Sequence, residues 1–382
     1  MSLAACLLAI GLVSGENPHG PDRRLVLHLA DGRVLRAQVR VEEGGYAVHR
    51  GGEWIRIPVG DVLRATPQRA VEQRLAELQK SSAPGDPARV EVAHAAFAEG
   101  FLDESLAEID AVLTRDPDQA AARAFVARAP IALSLKAAAD RSNETRLVLF
   151  GARAKPAHRE LAAVRLAAAP REAALKELAR GLASPTSSVR AFAAFALRRI
   201  DPHAQADALV RRAVVDPSEL VRVEAARALR DTRDETLALR VAAALALEDA
   251  RLRTSAAAAL GEIGHAAALP ALAARLAALQ SGGHPGGTRA HISITNQVAY
   301  VKDFHPEIAQ GASIADPIVD VVADGSVLDV RVGGTSIVSV ADQRRALCRA
   351  MRRISGVEMP LDAKRWLAWW DAREVGNAYG VR

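Results

Sequence analysis

The spacing of apolar residues changes twice along the chain. Within residues 23–66, LVLHLADGRVLRAQVRVEEGGYAVHRGGEWIRIPVGDVLRAT alternates with period two, and three glycine-containing breaks interrupt it. Asp31-Gly32, Glu43-Gly44-Gly45 and Gly51-Gly52 are tight-turn sequences, since such turns need residues that tolerate positive φ. The pattern predicts four or five short strands, a small SH3-like barrel or a curled meander. From about residue 69 the period becomes helical and stays so to about 280. Residues 281–290, SGGHPGGTRA, break it again. Beyond them ISITNQVAYV alternates, with Ile292, Ile294, Val298 and Tyr300 on one face, and PIVDVVADGSVLDVRV predicts a hairpin around Asp324-Gly325. Residues 341–355 then predict an amphipathic helix with Leu347, Met351 and Ile354 on its stripe.

Inside the helical stretch the sequence repeats. Arg159, Arg190, Arg222 and Arg253 are spaced 31, 32 and 31 residues apart, and Leu166, Leu197, Leu229 and Leu260 each follow seven residues later. SVRAFAAFALRRI, LVRVEAARALRDT and RLRTSAAAALGEI are three copies of one helix, and RELAAVRLAAA is a weaker fourth. Ser184-Pro185, Asp216-Pro217 and Glu248-Asp249 mark turns ahead of the last three copies. Proline suits such a turn because it is tolerated in a first helical turn and breaks a helix interior. The pattern predicts helix pairs over 141–280, with an arginine at the head of each second helix contacting neighbouring-turn carboxylates or carbonyls.

These residues resemble HEAT repeats of the short bacterial type, also called HEAT-like lyase repeats. Residues 86–119 resemble one tetratricopeptide unit. Gly100 and Pro117 stand 17 residues apart, Ala93, Ala96 and Phe97 take the small and aromatic positions, and Ser105 replaces the usual alanine between the helices. The C-terminal pattern of Gly356, Pro360, Trp366, Trp369 and Trp370 resembles the tail of exported bacterial HEAT-repeat proteins. The resemblance implies a mainly α protein, an armadillo-like α-α superhelix. A small β module at 23–66 and a helical connector at 69–140 precede its repeats at 141–280. A linker at 281–290, a β element at 291–340 and a helical cap at 341–382 follow them.

Composition fits that architecture. The chain has 382 residues, 81 of them alanine, and only 4% are aromatic. Alanine has the best helix propensity and lets helices approach closely. Three of the four tryptophans, Trp366, Trp369 and Trp370, fall at i, i+3 and i+4, one face of a helix that would cap the stack.

Charge is informative by region. Of 50 basic residues 44 are arginine, and the net charge is +5. Residues 141–280 carry a net +7, whereas 281–340 carry −3. Opposite charges are interspersed, so nucleic acid ranks below protein as a partner. Arg198 and Arg230, each one residue past a repeat leucine, are the candidate partner-binding residues, read as a basic ridge for an acidic partner or anionic ligand.

The N-terminus, MSLAACLLAIGLVSGENPHG, has an apolar run from Leu3 to Val13, too short to span a bilayer. With small residues after it, the run reads as a secretory signal cut near Gly15, although no basic residue precedes it. Removal of the signal leaves Cys348 as the sole cysteine. Leu3-Ala4-Ala5-Cys6 is a poor lipoprotein box, because its apolar run follows the cysteine. The expectation is an exported protein, periplasmic or at the cell surface.

Chemistry-bearing motifs are scarce. None of the ten histidines is followed by Glu, which the iron-binding HEAT-repeat deoxyhypusine hydroxylases require. His158, His203 and His265 occupy different repeat phases, and no residue pattern supports a tetrapyrrole lyase. There is no G-x-S-x-G elbow or phosphate-binding loop. His291, His305 and Asp303 have no geometry fixing them as metal ligands. Asp316, Asp320, Asp324 and Asp329 lack calcium-loop spacing, and Cys348 reads as a buried thiol. The expectation is therefore a non-enzymatic scaffold without cofactor, metal or catalytic residue, its partner a protein. The alternatives are a structural subunit of an envelope or surface assembly, through self-association, and a ligand-binding protein or enzyme of other chemistry.

Overall fold

The computed structural model describes residues 23–133, 135, 141–281, 299–309, 312–321 and 338–378. Among them are fifteen α-helices and seven strands. The chain divides into two compact units, Met1–Val241 and Ala242–Arg382. The signal reading, Cys6 and the linker at 282–290 lie outside the described residues.

The first unit opens with an antiparallel sheet of five strands: β1 (Arg23–Leu29), β2 (Val34–Glu42), β3 (Gly45–Arg50), β4 (Glu53–Pro58) and β5 (Val62–Pro67). Their order is β4-β3-β2-β1-β5, with a single 3-10 turn at Val59–Asp61 before the last strand. Period-two alternation puts Leu25, Leu27 and Leu29 on one face, in a core with Val39, Tyr46 and Val48. Val26 points the other way, into a second core with Val71, Leu75, Ala96 and Phe101. Strand β1 is thus buried on both faces, one packed against other residues of the sheet and the other against the helices that follow. Gly51 and Gly52 both have positive φ (60° and 90°), the geometry of a two-residue hairpin between Arg50 and Glu53. At the first hairpin only Gly32 has positive φ. Asp31 contributes its carboxylate instead, accepting the Arg33 N–H at 2.9 Å.

Helices α1 (Gln68–Lys80), α2 (Arg89–Ala98), α3 (Leu102–Arg115) and α4 (Ala120–Arg128) follow. Ser105 is fully buried between α2 and α3, and its hydroxyl donates to the Ala93 carbonyl at 2.8 Å. A small side chain with its donor satisfied therefore lets the two helices meet closely there. Ala122, Phe125 and Val126 of α4 share a core with Ile109, Val112, Ala157 and Leu161.

Three helical hairpins complete this unit: α5 (Asn143–Gly151) with α6 (Pro156–Ala167), α7 (Arg171–Leu182) with α8 (Ser187–Ile200), and α9 (Ala206–Val215) with α10 (Glu219–Thr232). Helix α8 packs on both α6 and α10, and α3 and α4 pack on α6. Close approach explains the alanines. Residues 191–197 are all buried, with Phe192, Phe195 and Leu197 the bulk among Ala191, Ala193, Ala194 and Ala196. Helix α11 (Glu235–Ala243) spans the division between the units.

In the second unit, α12 (Ala250–Ile263) and α13 (Leu269–Ser281) form the core with α14 (Val340–Ser355). Ser339 and Asp342 make a reciprocal capping box at the start of α14, and Gly356 ends it in the left-handed conformation. Helix α15 (Ala363–Ala378) packs on α13. Trp366 is buried there, with its Nε1 donating to the Pro360 carbonyl at 3.2 Å, whereas Trp369 and Trp370 are half-buried.

The β element differs from expectation. Strands β6 (Ala299–Ala309) and β7 (Ala312–Val321) pair antiparallel, so residues 317–321 end a strand that pairs with Ala299–Phe304. The expected turn at Asp324-Gly325 and residues 291–298 lie outside the described residues. Pro306 and Pro317 argue against long strands by sequence, but in a two-stranded ribbon every strand is an edge and tolerates proline.

Candidate interaction site

The repeat arginines hold the hairpins together. Arg190 Nη1 donates to the carbonyls of Ser184 and Pro185 at 2.9 and 2.8 Å. Arg222 Nη1 makes the same two bonds to Asp216 and Pro217, at 2.8 and 3.2 Å, and Arg253 Nη1 bonds Leu247 and Glu248. In all three the acceptors lie six and five residues earlier, in the turn ahead of the helix. Arg159 behaves differently, crossing to the Ala191 carbonyl at 3.3 Å and to Glu224 at 3.2 Å. Leu166, Leu197, Leu229 and Leu260 are all buried.

Arg198 and Arg230 are brought together, but not as a free ridge. Arg198 is buried, and its guanidinium reaches both Asp118 and Asp231 at 2.5 Å. Arg230 binds the same two carboxylates, at 3.0 and 3.1 Å. Asp118 also takes Arg199 at 3.2 Å. Burial opposes ionisation of Asp118, yet hydrogen bonds and charge from Arg198, Arg230 and Arg199 outweigh it and hold its carboxyl well below the usual range. Arg199 continues to Glu160, which also accepts from Arg123 at 2.9 Å. The guanidinium groups of Arg159 and Arg199 lie 4.4 and 5.0 Å from the Phe195 ring centre, within cation–π range. This network ties the turn after α3 to the ends of α8 and α10. Asp118 carries no sequence signal for that role, because it lies 80 or more residues from the arginines it binds.

A second carboxylate joins the sheet to the helices. Glu99 accepts from His28 at 2.9 Å, Arg64 at 2.8 Å and Arg74 at 2.9 Å. Burial raises its pKa, but the hydrogen bonds from His28 and Arg64 prevail and its value is lowered.

Beside this junction is an open groove of about 170 Å³ between α1, α2 and α3. Leu75, Val92, Ala96 and Phe101, all buried, lie beneath it, and Glu72, Glu104 and Glu108 line it. Glu104 pairs with Arg36 at 2.8 Å, and Glu108 with Arg89 at 3.0 Å. Glu72 accepts only from a neutral amide, that of Gln68, at 2.7 Å. With Glu104 and Glu108 paired, Glu72 leaves the groove an excess of negative charge, an arrangement suited to a cationic side chain.

Among the described residues no group of three His, Cys, Asp or Glu side chains is placed to hold a metal ion. Cys348 is buried, and burial pushes its thiol pKa up, away from nucleophilic reactivity. His291 lies outside the described residues, as do the side chains of Asp303, His305, Asp316 and Asp320. No helix of the described residues is long and apolar enough to cross a membrane. No family model and no curated protein matches the chain.

Proposed function

We propose that this chain is a non-enzymatic, exported scaffold that binds a partner protein through the groove between α1, α2 and α3. Its occupant is a basic, amphipathic segment of that partner. Its lysine or arginine cations lie beside Glu72, Glu104 and Glu108. The observation that carries this reading is where the polar side chains are used. Arg190, Arg222, Arg198 and Arg230 are engaged inside the fold, whereas Glu72 on the groove meets no cation among the described residues and accepts only from the Gln68 amide.

In this reading the five-stranded module is an SH3-like barrel that braces the groove through the contacts of His28 and Arg64 with Glu99. The repeated hairpins are a HEAT-like solenoid that presents the module at the cell surface or in the periplasm. The reading is tested with a labelled peptide of alternating lysine and leucine, and its glutamate counterpart, by fluorescence anisotropy. The basic peptide binds the wild type, and the double reversal E72K/E104K weakens it at least tenfold. Equal binding of both peptides, or of wild type and double variant, overturns it.

A further inference from the structure

The five-stranded sheet ends on one side in an open strand. In the order β4-β3-β2-β1-β5, strand β4 has a hydrogen-bonded neighbour only in β3. A bulge interrupts the register of β5 on β1, whereas β4 keeps an unbroken register on β3 from Arg50–Glu53 to Gly45–Pro58. A bulge turns an edge away from further pairing, and a regular edge is a template for it. Every β4 residue except Ile57 is exposed.

The hairpin fixes which backbone groups face outward. Its two-residue turn, Gly51-Gly52, makes Arg50 and Glu53 a hydrogen-bonded pair. Such pairs then recur at Val48–Ile55 and Tyr46–Ile57, and in the same phase the Val59 N–H donates to the Gly44 carbonyl at 3.1 Å. The N–H and C=O of Trp54 and Arg56 therefore point away from β3, toward the edge. Pro58 has a carbonyl but no N–H, so the ladder open to another strand centres on Trp54 and Arg56.

The β4 side chains divide by face. Ile57 packs on the core of Leu27, Val39 and Val48, and Ile55 carries that apolar face to the edge, where it is exposed. On the other face Trp54 is exposed, with the Arg40 guanidinium 4.0 Å from its ring centre and the His49 ring at 5.1 Å. Arg56 shares this face, and its Nη2 donates to the Glu43 carbonyl at 2.6 Å. That acceptor is neutral, and no carboxylate among the described residues pairs with Arg56. Glu42 is the acid on this face of β2, opposite Gly45 and two strands from the edge.

We infer that β4 is a docking edge for an extended segment of a partner protein, added as a sixth strand. The guest runs antiparallel, as every pair in this sheet does. Its residue opposite Arg56 is acidic, and the next, opposite Ile55, is apolar. Backbone bonds to Trp54 and Arg56 give affinity, and the alternate side chains give specificity. The edge selects a charge opposite to that selected by the groove, and the inference does not rest on the groove reading.

The probe is a fluorescein-labelled heptapeptide of alternating glutamate and valine, titrated into the full chain and read by anisotropy. Wild type binds it, and binds the glutamine–valine counterpart at least tenfold more weakly. R56E weakens binding at least tenfold. Should R56E disturb the hairpin, R56Q removes the charge and keeps a polar side chain, and weakening is again expected. Methyl groups on the glutamate nitrogens, which face the edge in an antiparallel guest, abolish binding, whereas methyl groups on the valine nitrogens leave it. The comparison of basic and acidic peptides that tests the groove is repeated in R56E, where the edge is closed and the groove intact, so the two readings fail separately. No binding of the glutamate peptide, no effect of Arg56 substitution, or equal effects of the two methylation patterns overturns the inference. So does a dimer of the free chain that R56E dissociates, which puts a second copy at this edge instead.

Discussion

Arg190 and Asp216 meet as a two-point pair, Nε to Oδ2 at 2.7 Å and Nη2 to Oδ1 at 2.8 Å. Asp216 belongs to the turn of the following hairpin, and its side chain is fully buried. It also accepts the Ser218 N–H at 3.0 Å and Arg212 at 3.2 Å, so both partners are well satisfied. One residue thus fixes its own helix start and the next hairpin together. Breaking a buried pair by removing one partner costs about 3–5 kcal/mol, because the other charge is left uncompensated. D216A is expected to destabilise the first unit by that amount. R222A loses only carbonyl bonds and is expected to cost about 1–2 kcal/mol. Urea unfolding followed by circular dichroism compares them, and equal losses would contradict the ladder's unequal design.

Acid should loosen the fold through the same carboxylates. Asp216 and Glu99 both have lowered pKa values, because arginine and histidine hydrogen bonds outweigh the cost of burial. A carboxyl with a lower pKa folded than unfolded binds protons more readily in the unfolded chain. Its contribution is complete above the unfolded value, about 4, and is lost as pH falls through the folded value. Urea midpoints are expected to be flat from pH 7 to about 5 and to fall below about 4. D216N should lower the plateau and flatten the decline, and an unchanged profile would refute the assignment.

Gly151 is a point of close approach between α5 and α8. A Cβ there would stand 2.3 Å from the Phe192 ring, which is fully buried and has nowhere to move. G151A is therefore expected to destabilise by about 1–3 kcal/mol, although alanine is the better helix former. Restoration of stability by the pair G151A/F192L, read in the same unfolding assay, would identify the clash as the cause.

Arg233 ends α10 in the left-handed conformation at φ 55°, the one described non-glycine residue with positive φ. It is exposed, so its side chain contributes little there. R233G removes a backbone cost of about 1 kcal/mol, and a rise in thermal midpoint is expected. A fall would show that the arginine side chain matters more than its backbone.

The arginine and leucine phases, the turns with their prolines and the glycine hairpins were legible in the sequence because each is local. A helix start, a tight turn or a buried stripe is specified by residues within about ten positions of one another. The pairing of β6 with β7 was not legible, since proline removes a ladder donor in a general strand and the two-stranded setting that excuses it is a tertiary fact. Arg198 and Arg230 show the same division. Their common phase could be read from the repeat, but whether they faced a partner or a carboxylate depended on Asp118, which approaches from a distant part of the chain. By itself the sequence determined the helices, the repeat and the alanines that let layers meet. Only the tertiary structure decided which charges are spent within the fold and which are left without an opposite charge, because electrostatic pairing depends on distance in space and not along the chain.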